Sequence, residues 1–182
     1  MDATTKVIGD IQVTTTSEIL FYLDEYKGKR FANIRKFSKS EKYTGPTKQG
    51  IKLTHEILSE VIKNKETIER KLDKLDEGEI LRINKSPGRD VVVKYALYKG
   101  QYGFDIREMY KTNDGESFGK GIRIKIEHTQ RALEIMMEML NRFNDDLAES
   151  PQVVKEPPPE KPTRDQKDKK DNNFPDDIEK YF

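Results

Sequence analysis

Between Tyr26 and Lys48 the chain alternates cations with aromatic rings. Lys27, Lys29, Arg30, Arg35, Lys36 and Lys48 supply the charge, and Tyr26, Phe31 and Phe37 stand between them. This mixture suits one chemistry above others. A single nucleic-acid strand offers a phosphate chain and exposed base faces. A binder without sequence preference needs cations along a groove and rings at intervals, each base–ring stack being worth roughly 1–3 kcal/mol. From Lys27 to Lys52 there are nine Lys/Arg and one acid, Glu41.

The phrase is written twice. "YKGKRFANIRKF" begins at Tyr26, and "YKGQYGFDIREM" begins at Tyr98. Gly28 matches Gly100, Ile34 matches Ile106 and Arg35 matches Arg107, all at an offset of 72. A one-residue deletion then sets "GIKL" from Gly50 opposite "GIRI" from Gly121. Upstream, "EILFYLDEY" faces "DVVVKYALY". Each copy reads as a β-rich run, Lys-Gly, and a second β-rich run ending in Ile-Arg. A turn-rich loop ("SKSEKYTGPTKQ" or "KTNDGESFGK"), a short strand and a helix complete it. A repeat of this length predicts two copies of one supersecondary unit packed together. The copies are unequal in charge: from Lys99 to Arg123 there are five Lys/Arg and four acids.

The elements that position these residues follow from pattern. In the first copy Thr54 is an N-cap, with Ile57, Leu58, Val61 and Ile62 on one helical face and the helix running to about Leu75. In the second, Leu133, Met136, Met137, Leu140 and Phe143 form a stripe that Ile135 and Met139 widen. That stripe is more apolar than one face on a thin sheet requires; the helix is expected to pack on another helix, within the chain or across subunits, and the prediction is a homo-oligomer formed through Met136–Phe143. "EILRI", before the turn "SPG", is an additional strand candidate. Within the strand after Lys-Gly, Lys29, Phe31 and Asn33 share one face and Arg30, Ala32 and Ile34 the other. Periodicity leaves open which set is buried.

Composition bounds the remaining classes. The 182 residues hold no cysteine, which excludes disulfides and thiolate chemistry. His55 and His128 lie at helix starts without zinc-ligand partners. There is no phosphate-cradling loop and no nucleophile–base spacing, so no enzyme and no cofactor is expected. No apolar run spans a membrane, and the N-terminus lacks signal-peptide character. A cytoplasmic protein follows, in a bacterial host if phage-encoded. The net charge is +1. Residues 150–182 hold seven basic and eight acidic residues, which leaves 27 against 25 in the rest. Any nucleic-acid case therefore rests on local distribution.

"KGK", "NIRKF" and "KQGIKL", repeated as "FDIREMY" and "GKGIRI", resemble the positive-cofactor-four type of transcriptional coactivator. The tandem arrangement is similar to the Whirly proteins. The resemblance covers about residues 18–72 and 90–143. It implies an α+β fold: two tandem copies of a curved four-stranded antiparallel sheet plus one helix. It also implies single-stranded-DNA binding, with a transcription coactivator or RNA-binding protein as the alternative. The contact positions it implies are Tyr26, Lys27, Lys29, Arg35, Phe37 and Lys48, with Arg30 beside them. In the second copy they are Tyr98, Lys99, Arg107, Tyr110 and Lys120. Arg35 and Arg107 stand out, since arginine combines bidentate phosphate contact with stacking. The chain departs from the family in having no tryptophan, in carrying Gln101 where the first copy has Lys29, and in lacking a serine-rich arm.

The organisation expected is a first repeat at 1–76, a second at 77–149, a disordered linker at 150–173 and a docking tail at 174–182. The linker is proline-rich and charged. The tail sets Asp176, Asp177 and Ile178 before Tyr181 and Phe182. It resembles the tails of bacterial and phage single-stranded-DNA-binding proteins, which recruit replication, recombination and repair factors.

Overall fold

The repeated Lys-Gly is a hairpin turn. Lys27 and Gly28 have φ of 53° and 69°, and Lys99 and Gly100 have 52° and 74°. The flanking residues pair Tyr26 with Lys29 and Tyr98 with Gln101. Two central residues at positive φ make a type I′ turn, whose twist matches that of the strands it joins. Glycine takes this conformation without steric cost, which explains why it recurs.

The computed structural model describes residues 5–149. The first copy consists of β1 (Lys6–Thr14), β2 (Ser17–Tyr26), β3 (Lys29–Ser40), β4 (Tyr43–Leu53), α1 (His55–Lys63) and α2 (Lys65–Asp73). The second consists of β5 (Gly78–Ser86), β6 (Arg89–Tyr98), β7 (Gln101–Thr112), β8 (Gly115–Lys125), a 3₁₀ turn at Ile126–His128 and α3 (Thr129–Glu149). Each set of four strands forms its own antiparallel sheet in chain order. Every strand of the second sheet begins and ends 72 residues after its counterpart. "EILRI" is part of β5, while β1 had no sequence reading.

The expected loops after Ile-Arg are instead two-residue turns, Glu41-Lys42 and Asn113-Asp114, each followed at once by a strand. Turn-forming residues mislead here because β4 and β8 are bulged. Between Arg35↔Gly50 and Phe37↔Pro46, Thr47 to Gln49 stand opposite the single residue Lys36. Between Arg107↔Gly121 and Met109↔Phe118, only Gly119 and Lys120 stand opposite Glu108. The one-residue deletion between the copies is absorbed in this bulge, the site where a sheet tolerates a change of count.

The structure settles which face turns inward. Ala32 and Ile34 are fully buried, with Ile19, Phe21, Leu23, Ile51 and Leu53 beside them. Val91, Val93, Tyr95, Phe104, Ile106, Ile122 and Ile124 do the same in the second sheet, and both sets belong to one continuous core. Lys29, Phe31, Asn33 and Arg35 lie on the opposite, outer face.

The helices join the copies. α1 and α2 touch β5 of the second sheet, while α3 packs against α1 and against β1 and β2 of the first. Thr54 caps α1 as expected, its side chain accepting from the Ile57 amide. The expected single helix to Leu75 is broken at Asn64, whose Nδ2 donates to the Glu60 carbonyl at 2.9 Å. An asparagine that bonds its own backbone competes with the helical ladder. The break turns Ile68 and Leu72 into the core.

The apolar stripe of α3 is covered by its own chain. Met136 and Met139 are fully buried and Phe143 is 3% exposed, whereas Met137 turns outward at 41%. His55 sets its ring edge-on against Phe143 and bonds the Asn144 Oδ1 at 2.7 Å, tying α1 to α3. The stripe thus finds within the chain, in α1, β1 and β2, the cover that self-association through Met136–Phe143 was expected to supply. The docking residues Asp176, Asp177, Ile178, Tyr181 and Phe182, and the linker before them, lie outside the described residues.

Met136→Ala is expected to lower the unfolding free energy by about 2–5 kcal/mol in urea titrations, as for other buried methionine truncations. The midpoint should not depend on protein concentration. A concentration-dependent midpoint would return the stripe to an intersubunit role.

Candidate nucleic-acid interface

On the outer face of the first sheet, the arginine of the repeated Ile-Arg lies over the glycine of the repeated Gly-Ile. A Cβ at Gly50 would stand 3.0 Å from the Arg35 Cγ, and one at Gly121 would stand 2.9 Å from the Arg107 Cβ. Arg35 and Gly50 are cross-strand partners, as are Arg107 and Gly121. The missing side chain lets the arginine stem cross the neighbouring strand and reach its bulge. There Arg35 Nη1 donates to the Thr47 carbonyl at 2.9 Å. Arg107 Nη1 lies 3.4 Å from the Gly119 carbonyl, the same bond in longer form. Leu20 and Val92, cross-strand from the two arginines, are buried although they face away from the core.

Rings and cations surround Arg35. Lys52 Nζ stands 4.7 Å from the Phe31 ring centre and 5.8 Å from that of Tyr26, and 3.3 Å from the Asp24 carboxylate. Lys27 lies over the other reach of Tyr26 at 5.4 Å. Tyr26 itself is 59% exposed at the hairpin tip. Among the described residues no carboxylate pairs with Arg35. Burial raises the Tyr22 hydroxyl's pKa against the opposing pull of Arg35.

The second sheet keeps the same layout with different partners. Arg107 donates from two nitrogens to the buried Asp105 carboxylate at 3.0 and 3.1 Å. Arg123 pairs with the same carboxylate at 3.7 Å and also donates to the Ala96 and Gln101 carbonyls. Phe118, 66% exposed, lies beneath Lys94 at 4.6 Å and Arg107 at 5.8 Å. Tyr98 lies beneath Lys99 at 5.5 Å and Arg123 at 5.7 Å. In such pairs the cation is drawn to the ring face by the ring quadrupole.

Between the two copies runs a cleft of about 260 Å³. Its lining brings together five cations (Arg35, Lys52, Lys85, Arg89 and Lys120) and one acid, Glu108, with the rings of Phe31 and Tyr110. Lys85 spans it, pairing with Glu108 and donating to the Lys52 carbonyl at 3.4 Å. Tyr110 is fixed on three sides. Its hydroxyl donates to Glu108 at 2.9 Å, the Arg89 guanidinium covers its ring at 4.8 Å, and its edge crosses Gly119, where a Cβ would come within 2.3 Å. Burial pushes the Glu108 carboxyl up, but hydrogen bonds from Lys85 and Tyr110 outweigh it and leave the group below the usual carboxylate range. Asp90 behaves likewise: burial raises it, and Arg82, Asn84 and Lys111 bring it net below its ordinary value.

Of the positions expected from sequence, Arg35, Tyr110 and Lys120 converge on the cleft. Tyr26 with Lys27 and Tyr98 with Lys99 occupy the two hairpin tips, and Lys29 and Lys48 are exposed on β3 and in the β4 bulge. Arg30 is half-buried at the margin of the inner face. Phe37 is 9% exposed and packs edge-on against Tyr22 at 6.4 Å, so it has little face to offer a base. Its register counterpart is Met109 rather than Tyr110. Sequence reasoning passed over Lys52, Lys85, Arg89, Lys94, Phe118 and Arg123. The third residue of "GIKL" and "GIRI", basic in both copies, could have pointed to Lys52 and Arg123. Nothing local marks Lys85 and Arg89, which reach the cleft only through the packing of the two copies.

Fold and site together define a basic, ring-studded antiparallel sheet of the kind that holds nucleic acid. Residues 15–64, from the β1–β2 turn to the end of α1, match the sequence family described as Transcriptional Coactivator p15 (PC4). That segment is similar to the PC4 family, which suggests nucleic-acid binding. Among solved structures, the chain is similar to a PC4 homologue from Burkholderia pseudomallei, at 28% identity over 38% of this chain and 96% of that one, with a TM-score of 0.34. No curated protein matches it. Among the described residues, no helix is long and apolar enough to cross a membrane.

Glu108 and Asp90, with Glu56 and Glu79, which hydrogen bonds from Thr54 and Arg82 also hold below the ordinary range, set an acid limit. A carboxyl whose folded pKa lies below its unfolded value adds stability above the unfolded pKa, about 4. That stability is lost as pH falls through the folded value. The urea midpoint should hold from pH 7 to about 5 and drop below about 4. Glu108→Gln should make the drop shallower. A midpoint unchanged down to pH 3 would contradict the pairing of Glu108 and Asp90.

Proposed function

We propose that the chain binds single-stranded DNA with little sequence preference and is not an enzyme. The observation that carries this reading is the cleft, where cations and rings from both copies meet over a single acid. Separately bent loops or scattered surface lysines would not concentrate charge in this way. The exposed rings of Tyr26, Tyr98 and Phe118 offer faces for stacking, which a duplex with its bases enclosed cannot use. Phosphates would run past Arg35, Lys52 and Lys120, with Lys27, Lys29, Lys48 and Lys99 along the approaches.

The tail adds a second activity to this reading. Asp176, Asp177, Ile178, Tyr181 and Phe182 would dock replication or recombination proteins of a phage or bacterial system. Two aromatics at the end of a polar segment cost solubility unless something binds them. A second reading, a transcription coactivator or RNA-binding protein, is favoured by the description of the family matched at 15–64.

Fluorescence titrations that compete poly(dT) with poly(U) and with duplex DNA decide between them. Poly(dT) is expected to win against both. Log affinity should fall linearly with log salt, by roughly 0.7 per phosphate neutralised. Tighter duplex binding, or no salt dependence, would overturn the reading. Arg35→Ala should weaken oligo(dT) binding more than Arg107→Ala, because Arg107 is already paired with Asp105. Deleting residues 174–182 should leave oligonucleotide affinity equal or slightly higher and abolish capture of replication proteins from host extract.

A further inference from the structure

The two copies place different groups at one register position. In the first sheet Asn33 stands between Tyr22 and Lys52, its cross-strand partners. In the second, Asp105 stands in the same way between Lys94 and Arg123. Both side chains are almost fully buried, at 1% and 3%. Whichever group occupies the position sits beneath the arginine two residues on.

The chemistry differs sharply. Asp105 brings a full negative charge under two guanidiniums and accepts from Arg107 twice and pairs with Arg123 once. A buried carboxylate holds such partners firmly, because removing it leaves charges uncompensated. Asn33 brings no charge, and its Nδ2 has no hydrogen-bond partner among the described residues. Lys52 is offset by Asp24 at 3.3 Å, but that acid stands nearer the hairpin end, and Arg35 meets only neutral groups among the described residues, the Thr47 carbonyl and the Tyr22 hydroxyl.

We infer that the Asn33/Asp105 difference decides which arginine grips phosphate: Asn33 leaves Arg35 its charge for the strand, and Asp105 withholds Arg107 and Arg123 from it. The inference rests on the proposed single-strand binding and goes beyond it by assigning the phosphate-gripping arginine to the first sheet. Arg107 then serves as a fixed plane under Phe118, and the second sheet contributes stacking more than charge. Asp105 acts as a positioning residue, through the arginines rather than by touching the strand. Glu108 repeats the device where the first copy has Lys36, and there the neutralised cation is Lys85.

The test is the salt dependence of oligo(dT) binding, followed by fluorescence anisotropy at several salt concentrations. Asp105→Asn, which keeps the shape of the side chain, should tighten binding. It should steepen the slope by about 0.7 to 1.4, one or two further phosphates neutralised. Asn33→Asp should weaken binding and flatten the slope by about 0.7, one phosphate lost. The double exchange should return the slope toward that of the parent. A purely structural role would change the melting temperature and leave the slopes alone. If the parent protein binds and neither single variant moves the slope, this inference is overturned while single-strand binding stands. If the parent does not bind oligo(dT), both fall. Should Asn33→Asp fail to fold, Asp105→Asn decides the matter alone.

Discussion

The exchange of helices between the two sheets is the constraint on which the rest of the structure depends. A four-stranded sheet with one apolar face is too thin to be stable unless something covers that face. Here α3 covers strands of the first sheet and α1 and α2 reach β5 of the second. Ile34 and Ile106 accordingly belong to one core. Neither copy has a complete core of its own, so the two must fold together. The outer faces are left uncovered on both sheets at once, and the edges β4 and β8 are brought together. The cleft is a consequence of that meeting, built from residues that are distant in sequence.

The bulges give the outer face its chemistry. A regular β4 would place a side chain beside Arg35 and carry the strand past it. Instead Gly50 clears a path, and the surplus residues of the bulge turn a carbonyl toward the guanidinium. The repeated Arg…Gly pair is therefore a steric requirement as much as a chemical one. An alanine at Gly50 or Gly121 would meet the arginine stem and the preceding strand's carbonyl at about van der Waals overlap. The same logic explains Gly119, over which the Tyr110 ring lies. Glycine in a strand weakens it, and it persists where another group must come close.

Much of this was legible in the sequence, for reasons that are local. The offset of 72 between copies, the Lys-Gly hairpin and the Thr54 cap depend on backbone conformations that few residues satisfy, so residue types reveal them. The inward face of β3 was not legible, because Lys29, Phe31 and Asn33 read no more clearly as outer than Arg30, Ala32 and Ile34 read as inner. The strand character of residues 43–49 was hidden by Gly45 and Pro46, turn formers that an edge strand with a bulge accepts. The break at Asn64 was hidden because an asparagine within a polar helical stretch is common. The apolar width of α3 was visible, but what it packs against was not. A stripe that must meet both a sheet and a helix of the same chain looks the same in sequence as one that meets a second subunit. Lys85 and Arg89 illustrate the general limit, since they join the cleft only through contacts between the copies.

A chain with a net charge of +1 nevertheless presents a basic face, and screening explains how. The five acids of α1 and α2 are nearly matched by Lys63, Lys65, Arg70 and Lys71, but α3 has five acids against Arg131 and Arg142, and its Glu134, Glu138 and Asp145 are exposed on a helix packed behind the sheets. A helix with its side chains is about 10–12 Å across. At physiological ionic strength the Debye length is about 8 Å. Charges on the far side of a helix are therefore felt weakly at the outer face of the sheet. What a phosphate meets there is set by the groups within a few ångströms, and these are Arg35, Lys52 and Lys120 in the cleft and, on the second sheet, Arg107 and Arg123, which share Asp105. Whole-chain charge consequently says little about such a site. The decisive quantity is whether each cation on the face already has a carboxylate beside it: among the described residues Arg35 has none, Lys52 has Asp24, and Arg107 and Arg123 share Asp105.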